Sequence, residues 1–85
     1  MIRPNEKPRL WVDFQNTDRH GSVRLNCVGT TEELNRLGLV LREGLELVLY
    51  CLELEADGVA HYSQEEGLWT AKVNWDEVRD RSANV

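Results

Sequence analysis

Two runs of alternating side chains, residues 45–54 and 69–75, constrain this chain more than anything else in it. Leu45, Leu47 and Leu49 alternate with Glu46, Val48 and Tyr50. A side-chain period of two belongs to a strand with one face buried. The run continues through Cys51, Leu52 and Leu54, with Glu53 and Glu55 between, so its apolar parity changes near residues 50–52. A bulge there, or a strand buried on both faces, accounts for the change. Trp69, Ala71, Val73 and Trp75 alternate with Thr70, Lys72 and Asn74, the cleanest strand pattern present. Between the two runs, Asp57-Gly58 has the composition of a hairpin turn, since glycine accepts positive φ. Val59-Ala60-His61-Tyr62 then opens a strand, and Glu65-Glu66-Gly67 reads as a second turn. The expectation is a three-stranded antiparallel meander with one apolar face that another element must cover.

Upstream, Leu10, Val12 and Phe14 alternate with Trp11 and Asp13, and Val23, Leu25 and Cys27 alternate with Arg24 and Asn26. The polar stretch Asn16 to Gly21 lies between them, so the two runs read as a hairpin. Thr30-Thr31-Glu32-Glu33 fits a capping box, in which the Thr30 hydroxyl and the Glu33 carboxylate satisfy each other's amides. Leu34 and Leu37 supply a buried stripe, and Gly38 is placed to stop the helix. Such a helix is too short to stand alone and must pack on the strands. Asn74 begins a second, shorter cap before Asp76 and Glu77. The expected organisation is a tail over residues 1–8, one domain over 9–81, and a frayed end over 82–85.

These elements predict a mainly β domain: a five-stranded antiparallel, partly open barrel with one short helix between strands two and three. An α+β sheet with a helix on one face is the alternative. Leu41-Arg42-Glu43-Gly44-Leu45-Glu46-Leu47 resembles the entry to a strand of SH3-like small barrels. The segments GTTEELNRLGL, REGLELVLY and WTAKVNWD are also similar to those of small bacterial proteins of unknown function. The resemblance implies a relationship of fold and transfers no active residues.

At 85 residues the core is small, since a chain of this size buries only roughly 60–65% of its unfolded surface. The three tryptophans are expected to supply much of it. Ten Lys and Arg against fifteen Asp and Glu give a net charge of −5. That disfavours nucleic acid or an anionic membrane as the main partner. The opening MIRPNEKPRL has no apolar stretch of the secretory kind, and no run reaches the length of a membrane span. A cytoplasmic setting with reduced thiols is the expectation.

Residues that could carry chemistry are scattered. His20, Cys27, Cys51 and His61 lack the close spacing of zinc ligands, and no cofactor is implied. Cys27 falls in phase with Val23 and Leu25, which reads as a buried small hydrophobe. A Cys27–Cys51 disulfide requires strands two and three to be neighbours. Glu53 and Glu55 share a strand face, while Glu32/Glu33, Glu65/Glu66 and Asp76/Glu77 read as solvated pairs. Trp69 and Trp75 share one face and read as core. Trp11 is open in both directions: if Leu10, Val12 and Phe14 face inward it faces out with Asp13, and if the strand is reversed it is inside.

The functional expectation is a non-catalytic module that binds a protein partner or a second copy of itself through an aromatic surface or a free strand edge. Trp11, Asp13, Tyr50 and Tyr62 are the candidate binding residues. The competing expectation is a small enzyme or metal-binding protein using His61 with a cysteine or with Glu53/Glu55. Nucleic-acid binding through aromatics is a third.

Overall fold

The computed structural model describes residues 6–81. Of the expected tails over 1–8 and 82–85, residues 1–5 and 82–85 lie outside that range. Strands β1 (Arg9–Trp11) and β2 (Val23–Arg24) precede helix α1 (Val28–Leu37). Strands β3 (Glu46–Tyr50), β4 (Leu54–Ser63) and β5 (Leu68–Val73) follow it. A 3₁₀ turn at Trp75–Glu77 and a short β6 (Arg79–Asp80) close the chain. The strands form one mixed sheet in the order β1-β3-β4-β5-β2, with β6 beside β4. It curls into an open half-barrel.

The meander of β3, β4 and β5 is antiparallel throughout, as its short connections require. Its first turn is not where the sequence places it. Asp57-Gly58 continues through β4, with Asp57 opposite Val48 and Gly58 opposite both Leu47 and Val73. The reversal occurs instead at residues 51–53, where Cys51 and Leu54 bond amide to carbonyl at 2.9 Å. The Cys51 sulfur accepts the Leu54 amide at 3.3 Å. The parity change near Tyr50–Leu52 is therefore the chain turning over, not a bulge or a doubly buried strand. Leu52, at its tip, is 88% exposed. Gly58 is required for space: a Cβ there would lie 2.7 Å from Leu49 Cδ1 and 3.2 Å from the Lys72 carbonyl. The second turn holds, closed by the Gly67 amide on the Ser63 carbonyl at 2.8 Å, with Gly67 at φ +69°.

The first two strands do not pair with each other. Strand β1 lies parallel to β3, with Leu10 opposite Leu49, while β2 lies antiparallel to β5, with Val23 opposite Ala71. They occupy opposite edges of the sheet, which corrects the expected hairpin and the all-antiparallel plan. The polar turn at 16–21 is kept, with Thr17 bridging Val23 and Gly21 at φ +83°. Residues 6–8 include sheet contacts as well: the buried Pro8 accepts the Val48 amide at 2.9 Å.

The buried core comprises Leu10, Val12, Phe14, Val23, Leu25, Leu47, Leu49, Ala56, Ala60 and Ala71. Of its small residues, Ala60 and Ala71 face each other on β4 and β5, and Ala56 lies opposite Leu49 on β3. No tryptophan belongs to it. Trp69 is half-buried against its margin, and Trp75 is 43% exposed. Strand one thus has Leu10, Val12 and Phe14 inward, the first of the two orientations left open. Trp11 faces away from the core yet is only half-exposed, because α1 covers it. Cys27 is not in the core phase either. It is half-buried at the N-cap of α1, with its sulfur 2.9 Å from the Thr30 hydroxyl.

Helix α1 starts two residues before Thr30, so the capping box does not form. The N-cap makes no side-chain hydrogen bond. Gly38 does end the helix, in the left-handed region at φ 63°, with its amide on Asn35 and that of Leu39 on Leu34. Asn74 likewise caps the 3₁₀ turn, accepting the Asp76 amide at 3.2 Å.

Candidate functional site

The curl of the sheet leaves an open hollow. A cavity of about 580 Å³ lies between the 18–22 turn, the end of β4 and the start of the 3₁₀ turn. His20, His61, Tyr62, Glu65, Lys72 and Trp75 are among the side chains that line it.

Local structure positions each of them. Asp18 organises the turn that carries His20. Its carboxylate accepts the amides of His20 at 2.9 Å and Ser22 at 3.0 Å. Burial pulls its pKa upward, but those two amides outweigh it and hold the group below the usual carboxylate range. Trp75 is anchored to the same turn, its indole N–H donating to the Gly21 carbonyl at 2.8 Å. Its ring also meets Phe14 edge-on, centroids 6.0 Å apart. Tyr62 is held edge-to-face on Trp69, at 5.4 Å and 79°. These rings are fixed from behind and open toward the cavity.

Each imidazole has one carboxylate. His61 Nδ1 lies 2.7 Å from Glu43 Oε2, and Glu43 Oε1 accepts the Tyr62 amide at 3.0 Å. That amide, then His61, holds Glu43 below the ordinary carboxylate range. His20 Nε2 lies 3.2 Å from Glu65, which also pairs with Arg19 at 2.8 Å. Each ring thus has one nitrogen on a carboxylate, and the other has no hydrogen bond among the described residues. Neither ring is hydrogen-bonded to a hydroxyl or thiol among the described residues. The arrangement can orient, donate and accept.

Of the four residues singled out from sequence, only Tyr62 reaches this cavity. Asp13 is exposed and accepts the Gln15 amide. Trp11 and Tyr50 are engaged together by α1. The Trp11 amide donates to Glu33 at 2.7 Å, and the Tyr50 hydroxyl donates to both Glu33 oxygens at 2.9 Å. Arg9 and Arg81 lie over the Tyr50 ring at 5.1 and 5.2 Å.

The competing enzyme or metal constellation does not assemble. His61 meets Glu43 rather than Cys51, Glu53 or Glu55. Cys51 is spent on its turn, and Glu55 pairs with Arg9 at 2.8 Å and Arg79 at 3.2 Å. Both cysteines are free thiols. No group of three or more His, Cys, Asp and Glu gathers as metal ligands among the described residues. Sequence reasoning missed Glu43, Lys72 and the outward role of Trp75. Glu43 lies 18 positions before His61, and only the β3–β4 pairing brings them together.

The molecule is thus a small mixed β half-barrel with an aromatic and imidazole-lined hollow. No family model, curated protein or solved structure matches the chain. No helix among the described residues is long and apolar enough to cross a membrane.

Proposed function

We propose that this chain is a small non-catalytic interaction module that takes a segment of a partner protein in the hollow of His20, His61, Tyr62 and Trp75. The observation that supports this reading is the pairing of anchored, partly exposed aromatic rings with imidazoles that each keep one nitrogen unbonded among the described residues. Rigid aromatic anchors ringed by polar groups are the usual chemistry of binding surfaces. The net charge of −5 favours a neutral or basic segment over a polyanion. Trp11, Asp13 and Tyr50 do not line this hollow and are left out of the proposed contact set. A reduced cytoplasmic setting and a relationship to SH3-like barrels belong to the same reading.

Affinity capture with the wild-type chain and Trp75→Ala, followed by titration of the captured protein against both, tests it. The reading expects binding to fall at least tenfold with Trp75→Ala and with His61→Ala, and to persist with Asp13→Ala. Equal affinity across all four chains overturns it.

A further inference from the structure

A sheet in this order has β1 at an outer edge, and such an edge normally offers unpaired amides and carbonyls to another strand. In β1 the parallel ladder to β3 uses Pro8, which accepts the Val48 amide, and Val12, which donates to the Tyr50 carbonyl at 2.9 Å. Arg9 and Trp11, one residue out of phase, turn their backbone groups to the open side. Both groups of Trp11 are taken by side chains of α1. Its amide donates to Glu33 Oε1 at 2.7 Å, and its carbonyl accepts the Thr30 hydroxyl at 2.8 Å. Thr30 and Glu33 are the buried residues of the helix, and both are polar. Gly29 lets the helix close on the indole: a Cβ there would lie 2.8 Å from the Trp11 ring.

We propose that α1 is a seal on the β1 edge, and that the occupant it keeps out is β1 of a second copy of this chain. The geometry of the strand selects that occupant. Antiparallel pairing of two copies about Leu10 sets Arg9 of each opposite Trp11 of the other. Both residues turn their backbone groups outward, so each such pair exchanges two hydrogen bonds. The pairing repeats itself across a twofold axis, as a self-complementary edge must. The seal is held lightly. The helix has ten residues, an N-cap without a side-chain bond, and Val28 and Leu37 that are 75% and 40% exposed. A helix of that length depends on its docking contacts. This inference rests on the β1 edge and is independent of the hollow.

Sedimentation of the wild-type chain and of Thr30→Val/Glu33→Ala, each at micromolar and near-millimolar concentration, tests it. Hydrogen exchange at the Trp11 amide is read in parallel. The wild type is expected to remain monomeric with that amide protected. The double variant is expected to become a dimer as concentration rises, with exchange at Trp11 fast in the dilute monomer and slowed at least tenfold in the dimer. A folded variant that stays monomeric overturns the proposal, as does a dimer whose Trp11 amide exchanges freely, or a wild type that dimerises with α1 docked. Should the double variant lose its fold, Glu33→Ala alone is judged by the same outcomes, and Glu33→Gln, which keeps an acceptor for the amide, is expected to stay monomeric.

Discussion

The Tyr50 hydroxyl sits 2.9 Å from both oxygens of Glu33, joining the third strand to the helix that crosses the sheet edge. The same carboxylate takes the Trp11 amide and pairs with Arg36. One side chain thus ties α1 to two strands. Because a hydrogen bond to a charged group contributes more than a neutral one, Tyr50→Phe is expected to cost about 1–2 kcal/mol in urea denaturation. Glu33 keeps its other two donors, so the variant still folds.

Burial, reinforced by the hydrogen bond to Glu33, raises the Tyr50 pKa above 10.0. A folded-state pKa above the unfolded one gives stability that is complete below the unfolded value and is lost as pH rises through the folded one. Wild-type stability should therefore fall above about pH 10 by more than that of Tyr50→Phe. Denaturation curves taken from pH 8 upward check this, and parallel slopes for the two chains would contradict it.

Three glutamates behave in the opposite sense. Glu43 is lowered by the Tyr62 amide and then His61, Glu55 by Arg9 and Arg79, and Glu66 by Arg24. Each adds stability that is present above the unfolded value of 4.5 and is lost as pH falls through the lower folded value. Acid melts should show stability declining below that point. Glu55→Gln should flatten the decline, since Glu55 serves two arginines.

Gly58→Ala is expected to destabilise by about 1–3 kcal/mol, because its methyl group would meet Leu49 and the Lys72 backbone. For a chain of this size that lowers Tm by about 4–8 °C per kcal/mol. A glycine at a hairpin turn would resist alanine through its positive φ, whereas Gly58 lies within β4 and is not among the positive-φ glycines. Relief by Leu49→Val in the double variant, measured by thermal melts, separates the two causes.

Leu49 and Leu52 are three residues apart in one apolar run, yet they should differ sharply. Leu49→Ala removes a fully buried side chain and is expected to cost about 2–5 kcal/mol. Leu52→Ala, at the exposed tip of the reversal, should stay within about 0.5 kcal/mol. Chemical denaturation of the two variants decides whether the turn lies at 51–53.

The alternating leucines of β3 and the Trp69–Val73 pattern showed in the sequence because side-chain period is a local property. So did the stop at Gly38, the Asn74 cap and the turn at Gly67, each of which depends on a few neighbouring residues. The mainly β class and the helix between the second and third strands followed from them. The order of strands did not. Residues 9–11 and 23–24 alternate as a hairpin would, and nothing local distinguishes pairing with each other from pairing at opposite edges.

The site was less legible for the same reason. Glu33 satisfies a capping box on paper, but its carboxylate finds better-placed donors on Trp11 and Tyr50 once β1 lies beside β3. Trp75 continues the period of β5, yet the chain leaves the strand at Asn74 and turns the indole toward Gly21. The chain's residues alone determined where strands and stops could form, since those rest on steric preference and burial within a few positions. Only tertiary structure decided which strands met, which carboxylate found which imidazole, and where the hollow opened, because those contacts join residues that only folding brings together.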